Sequence, residues 1–434
     1  MGSAIGKRGR EDSSRLITVR AEKPVYGGVV IARYENQIVF LEGALPGEFI
    51  RARIIEERRD YLRARVVDIL EASADRVPPD CPVYKICGGC HSQHIRYALQ
   101  VSLKEEVLRD TLRRIGGMEI ELAPSMIDSN PWHYRRRVQF KIGDNALGFY
   151  RAGARSVVDV DSCPVACSCI NAFLAALRRQ LAAAPQELFN LLSGIHVISD
   201  DHEALALFFC RPGNACSGDL LQRLCADSGI SGFRALQGQN VIAQNGAERI
   251  MLPLGELAYE ISPGSFFQGH WRLNQRVVDA VRDAVQPRSG MRILDLYAGA
   301  GNFSLPLAAD AADVVAVEEH ASAVADGIRN IELNRLERMH FVMSSAENYL
   351  PDGRFDTLVL DPPRPGLTRT VMEKILGLSP ESIVYISCDP TTLARDLKKL
   401  AAGYQIVSVR MIDFFPQTYH IESMAVLHKM PTGR

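Results

Sequence analysis

From residue 277 onward the chain alternates short apolar runs with amphipathic segments, and this alternation constrains the fold more than any other feature. Runs at 291–296, 314–318, 340–343, 356–361 and 382–387 have strand length, with helix-length segments between them. Repetition of this kind predicts a parallel, doubly wound α/β sheet. Such sheets bind ligands outside the carboxyl ends of their strands, so the residues after each run are the candidates for chemistry.

The first run leads into Gly299-Ala300-Gly301 within DLYAGAGNF (295–303), and a helix follows. Glycines at this turn let a ligand approach the backbone at a helix N-terminus. Glu318 closes the next run, where an acid can bind both hydroxyls of a ribose. Ser304 stands where a dinucleotide fingerprint needs its third glycine. S-adenosylmethionine therefore fits better than a nicotinamide cofactor, with its carboxylate near the turn and its ribose on Glu318. The plain alternative is a tight turn in a sheet that binds nothing. Asp361-Pro362-Pro363-Arg364 follows the strand FDTLVL. Related motifs ending in an aromatic residue serve methylation of exocyclic amines, and Arg364 in that place disfavours such chemistry.

Cys388 follows the fifth run, between Ser387 and Asp389-Pro390. The carbon 5 of a uracil is a poor nucleophile. A thiolate added at C6 turns it into an enolate that can attack a methyl sulfonium, after which the C5 proton must leave. That sequence needs one cysteine and one base. An ordinary thiol, with a pKa of about 8.5, is only slightly ionised at neutral pH, so Cys388 needs backbone N–H groups or a proton transfer on substrate binding. Glu422 lies in an apolar stretch that runs on to Leu427, where an unpaired acid is costly. The competing readings are a buried structural cysteine and a structural ion pair.

The remainder sets the context. A chain of 434 residues exceeds one ordinary core and implies two or three domains. Its 47% apolar and 23% charged residues are those of a soluble globular protein, with no run able to span a bilayer. The first 14 residues lack the apolar core of a secretory signal and are expected to form a disordered basic arm. The net charge of −1 divides into +5 over the first 160 residues and −6 over the rest, which fits a polyanionic partner in front and a small cofactor behind. Ten cysteines without an export signal point to a reducing, cytoplasmic setting without disulfides.

Residues 15–71 read as five short strands, a small closed barrel of the OB type. Arg51, Arg53, Arg63 and Arg65 recur there with period two, either as a phosphate-contacting surface or as a charged edge kept soluble. Residues 72–80 are a linker, and Tyr97–Ile115 is an amphipathic helix ended by Gly116-Gly117. Strands at 136–142, 147–150, 195–200 and 204–210 and helices at 169–183 and 218–226 follow. Arg135-Arg136-Arg137 comes directly after Trp132-His133-Tyr134, a pairing suited to base stacking and phosphate binding. Cys81, Cys87 and Cys90 form a cluster whose fourth ligand must come from afar, with Cys163, Cys167 and Cys169 as candidates for an iron–sulfur or a zinc site.

Taken together, CPVYKICGGCHSQH (81–94), PGSFFQ (263–268), DLYAGAGNF, LDPPRPG (360–366), SCDP (387–390) and FPQTYHIES (415–423) resemble the RNA (uracil-5-)methyltransferases, in particular the iron–sulfur branch with an N-terminal TRAM domain typified by bacterial 23S rRNA enzymes. The likeness spans nearly the whole chain. It implies a class I methyltransferase sheet at 263–434, a TRAM β-barrel at 15–72 that binds RNA, and a mixed α/β central domain at 73–262, with a helix near 95–120 packing on the catalytic domain. It implies that Cys388 is the nucleophile and Glu422 the proton acceptor. Gln268, Tyr297, Asn302, Glu318, Ser345 and Asp361 would bind S-adenosylmethionine. Cys81, Cys87, Cys90 and Cys163 would hold a [4Fe–4S] cluster of structural purpose. The expected substrate is a uridine of RNA, 23S rRNA first and tRNA or several rRNA sites second, acted on by a cytoplasmic monomer with no membrane partner. A non-catalytic iron–sulfur RNA-binding protein is the alternative of another class.

Overall fold

The computed structural model describes residues 15–431 apart from 144, 184–188, 214–215, 227 and 311–312. The chain divides into two compact units. One holds the described residues up to Asp80 with His91–Val107 and Gln417–Tyr419, and the other holds Cys81–Cys90, Leu108–Pro416 and the chain from His420.

The first unit is built on a six-stranded sheet in the order Leu16–Arg20, Phe49–Glu57, Tyr61–Glu71, Gln37–Glu42, Val29–Tyr34, Lys23–Val25. Alternation puts Ile17, Val19, Val39, Leu41, Ile50, Ala52, Leu62 and Ala64 into one core. Six strands stand where five were expected, because the first run breaks at Ala21-Glu22. The arginine ladder is also not a bare cationic surface. Arg51 pairs with Asp68, and Arg63 and Arg65 both reach Glu42. The strand pairing sets these acids beside the arginines, so the face is largely self-neutralised. The linker is anchored rather than loose: Glu48, 1% exposed, accepts from the N–H groups of Leu45 and Ser73 and from Arg76.

The second unit contains two large sheets. The central one has seven strands in the order Val157–Asp159, Ala146–Tyr150, Arg137–Gly143, Leu192–Ser199, Ala204–Cys210, Ile230–Gln237, Asn240–Gly246. Helices Ser168–Ala183 and Gly218–Cys225 pack on one of its faces through Phe173, Leu174, Leu177, Leu221 and Leu224.

The other sheet has eight strands in the order Met339–Met343, Asp313–Glu318, Arg292–Leu296, Thr357–Leu360, Ser382–Ser387, Glu422–Lys429, Tyr404–Ile412, Ala123–Met126. The first five run parallel, as the strand–helix alternation predicts, and Glu422–Lys429 is antiparallel to its neighbours. Ala123–Met126, from outside 263–434, joins the edge parallel to Tyr404–Ile412. The helix Tyr97–Thr111 passes into a π-helical turn, Leu112–Gly116, closed by Gly117 at a positive φ. This turn lies on the helix Pro390–Leu400, where a Cβ at Gly116 would come within 3.4 Å of Ala394 O. Among the described residues no helix is long and apolar enough to cross a membrane.

Candidate active site

Parallel register brings the carboxyl ends of five strands to one rim, and six of the expected residues lie there. Tyr297 follows Leu296, Glu318 ends its strand, Ser345 lies two residues past Met343, Asp361 follows Leu360, and Cys388 follows Ser387. Glu422 opens the antiparallel strand at the same rim. Ser387 pairs with Ser423 there, so Cys388 and Glu422 are the residues next beyond that pair on the two strands, and the Glu422 carboxyl acts on the Cys388 thiol.

The cofactor turn is shaped by backbone. Tyr297, Gly299 and Gly301 all have positive φ, and the N–H groups of Tyr297 and Ala298 both bond to Val317 O. A Cβ at Gly301 would lie 2.9 Å from Leu305 Cγ, so the turn packs tightly on its helix there. A Cβ at Gly299 would meet nothing within 4 Å, which leaves an open cradle above the turn. Glu318 sits beside it. Its Oε1 accepts from His320 N and Nδ1, and its Oε2 accepts from Gly299 N at 2.9 Å. Oε2 keeps acceptor capacity for a hydroxyl. The open cradle and the spare acceptor fit the methionine and ribose parts of S-adenosylmethionine.

The other expected contacts differ in character. Gln268 is 7% exposed on the segment before helix Trp271–Val285. Asn302 is engaged in a reciprocal amide pair with Asn274, at 2.7 and 3.1 Å. Ser345 caps a turn by accepting from Asn348 N, so both have structural duties beside any ligand contact.

Burial governs the acids and the thiol. Burial pushes Asp295 and Asp361 up to about 7, and it holds Glu422 well above the usual carboxylate range, with Asp361 adding to the rise and Arg364 opposing it. The Cys388 thiol is pushed up to about 12 by burial and by Glu422 and Asp361, with Arg364 again opposing. Burial thus disfavours ionisation of both the Cys388 thiol and the Glu422 carboxyl, and Arg364 favours it. Arg364 Nη2 lies 3.4 Å from His420 Nδ1, and His420 meets Phe415 edge to face.

Several supporting residues carry no signal in a simple reading of the motifs. Asp396, fully buried, accepts from Leu367 N, Tyr385 OH and Arg395, and it faces Gly366, where a Cβ would lie 2.6 Å from its Oδ2. This carboxylate fixes the loop that carries Arg364 to the helix after Cys388. Asp326 accepts from Ser262, Ser265 and Arg249 and so holds the start of PGSFFQ. Asp295 accepts from Ser304 and keeps its other oxygen buried without a partner. It lies inside the quoted DLYAGAGNF run and could have been singled out as an acid in an apolar strand.

The expected metal centre is not preassembled: among the described residues no three His, Cys, Asp or Glu side chains converge closely enough to hold a metal ion. The donor set nonetheless fits a thiolate-held group. Burial raises the Cys87 and Cys163 thiols, which also feel each other or Cys81, while Cys90 and Cys163 both act on Tyr134. N–H groups of Gly89, Val165 and Ala166 point at the Cys87 and Cys163 sulfurs. Of the rival ligands, Cys167 is packed in the central core and Cys169 donates to Asp201 O at 2.9 Å.

A doubly wound sheet with a glycine turn after its first strand, an acid ending the next strand, and a cysteine and a glutamate at the same rim has the form of a class I methyltransferase. The comparisons place it further. Residues 96–430 match the tRNA (uracil-5-)-methyltransferase family, and residues 13–67 match the TRAM domain. The chain belongs to that family and is an S-adenosylmethionine-dependent RNA uracil-5-methyltransferase with an N-terminal TRAM domain. It is 35% identical to the 23S rRNA (uracil(1939)-C(5))-methyltransferase RlmD of Pectobacterium atrosepticum, over 94% of this chain and 92% of that one. It is 34% identical to an uncharacterized RNA methyltransferase of Aquifex aeolicus, over 96% and 99% of the two chains. Among solved structures, the tRNA (uracil-54, C5)-methyltransferase of Pyrococcus abyssi, in complex with S-adenosyl-L-homocysteine, superposes with a TM-score of 0.75 at 25% identity, covering 94% of this chain and all of that one.

Proposed function

We propose that this enzyme methylates C5 of a uridine in 23S rRNA through a covalent adduct between Cys388 and C6 of the base. The observation that carries the mechanism is the approach of Cys388 and Glu422, each next to the Ser387–Ser423 pair, at the rim of the parallel strands. Cys388 adds to C6 as a thiolate, and C5 becomes nucleophilic. S-adenosylmethionine supplies an electrophilic methyl group, held by Gln268, Tyr297, Asn302, Glu318, Ser345 and Asp361. Glu422, as the carboxylate, then takes the C5 proton, and the C6–S bond breaks to expel the Cys388 thiolate and release 5-methyluridine. Arg364, which favours ionisation of both groups, steadies the thiolate and the carboxylate. The base must leave its stack to reach Cys388, at a cost of a few kcal/mol that is least in a loop.

The substrate class rests on the names of the rRNA-modifying relatives. A tRNA substrate is the second reading, favoured by the archaeal structure. Cys81, Cys87, Cys90 and Cys163 would hold a [4Fe–4S] cluster that braces the central domain, while methyl transfer itself needs no redox step. The segments 15–72, 73–262 and 263–434 serve as RNA-binding barrel, central domain and catalytic domain of a cytoplasmic monomer.

The mechanism is tested with RNA carrying 5-fluorouridine, whose C5 has no proton to give up. The wild type should form an adduct that survives a denaturing gel. Cys388→Ala should form none and should lose methylation while still binding S-adenosylmethionine. Methylation by the alanine variant would overturn the nucleophile assignment.

A further inference from the structure

The two faces of the central sheet differ. Val138, Phe140, Ile195, Val197, Ala206 and Phe208 point into the core beneath the two helices. Alternation and register put Arg137, Lys141, His196, Phe209 and Arg234 on the opposite face, with Tyr150 beside Lys141. The four strands 137–143, 192–199, 204–210 and 230–237 contain no Asp or Glu. Lys141 Nζ lies 5.6 Å from the centroid of the Tyr150 ring, and both its strand neighbours in register, Gly148 and Gly194, are glycines. The His196 and Phe209 rings meet at a tilt of 58° with centroids 4.5 Å apart. Burial, then Lys141 and Arg137, push His196 down to about 4, which keeps its ring neutral and suited to stacking.

This face runs on to the catalytic rim. The Arg137 guanidinium lies 5.3 Å from the ring of Phe266, two residues before Gln268, and its Nε is buried without an acceptor. Phe266 is 55% exposed. Arg136, between two arginines of the other side, is already neutralised by Asp201.

We propose that this helix-free face of the central sheet is a stacking platform for the single-stranded stretch of substrate RNA that flanks the target uridine. The occupant follows from the chemistry of the face: aromatic rings offer the π-surfaces that unpaired bases stack on, and cations without acidic neighbours match phosphates. Its continuity with Phe266 and Gln268 sets the flanking bases next to the cofactor rim. The inference rests on the reading of the protein as an RNA methyltransferase.

The test uses the full chain, ribosomal RNA from cells lacking the enzyme, and a tritiated methyl donor. Tyr150→Ala should raise KM for RNA about five- to tenfold, the loss of one base-stacking contact, with kcat within twofold. Lys141→Ala should lower the slope of log affinity against log salt by about 0.7, as for one phosphate contact on a single strand. Gln139→Lys, an exposed change on the same face, should shift affinity and slope the opposite way and guards against misfolding. Unchanged KM and slope in all three variants, with S-adenosylmethionine binding intact, would overturn the platform and leave the face to a protein partner. A wild type that neither binds nor methylates this RNA would instead sink the rRNA reading beneath it.

Discussion

Glu422 is the residue on which the catalytic reading turns. Burial, with Asp361, holds this carboxyl, 6% exposed, well above the usual carboxylate range against the opposing pull of Arg364. In water the same side chain ionises near pH 4.3. The folded protein therefore holds a proton that the unfolded chain has lost. Stability is full below the unfolded value and declines as pH rises toward the raised folded one. Glu422→Gln removes that decline. The variant should melt higher than the wild type at pH 8, with the gap shrinking toward pH 5, as read by thermal unfolding at both. It should also transfer the methyl group and then stall, leaving a Cys388-linked adduct on ordinary uridine RNA. A structural ion pair would give the reverse, an earlier melt and no adduct. Cys388 and Glu422 stood out in the sequence because each is an ionisable residue beside an apolar run, and the family resemblance supplied the roles proposed for them. Asp396 and Asp326 were not, because what makes them matter is partners far along the chain.

At the scale of elements, the Asp396 carboxylate ties three pieces together: the strand through Tyr385, the helix through Arg395 and the Arg364 loop through Leu367 N. Removing it strips those buried donors of their acceptor. Asp396→Ala should cost about 3 kcal/mol in urea unfolding and should lower the rate of adduct formation more than S-adenosylmethionine affinity. Equal loss of both would make Asp396 a plain stability residue. The five parallel strands were readable because each is an uninterrupted buried run bounded by a helix. Ala123–Met126 was not, since APSM is short, carries a proline and pairs only at a sheet edge. The π-helical turn was hidden likewise, because its register is set by the helix it packs against rather than by its own residues. The self-neutralised arginines of the barrel show the same limit: period two placed them on one surface, and only strand order revealed Glu42 and Asp68 beside them.

On the scale of the whole molecule, long-range joints are common. Residues 81–90 approach Cys163, and Tyr134 OH donates to Pro416 O across 282 residues. A cluster held by Cys81, Cys87, Cys90 and Cys163 would lock the first of these joints. Anaerobically purified protein should contain about four irons per chain. Cys163→Ser should lose them, whereas Cys169→Ser, whose thiol already serves Asp201 O, should keep them. Stoichiometric zinc without iron, or iron retained by Cys163→Ser, would reject the ligand set.

The edge strand Ala123–Met126 also dictates an order of events in time. It is translated long before Tyr404–Ile412, the one strand it pairs with in the sheet. While the nascent chain grows, its N–H and C=O groups have no ladder to join, so this edge forms only after residues 127–403 and the partner strand have left the ribosome. Contacts this distant in sequence close slowly and leave apolar segments exposed meanwhile. An enzyme fitted to RNA thus closes its own sheet late, with an early strand that waits for a distant partner.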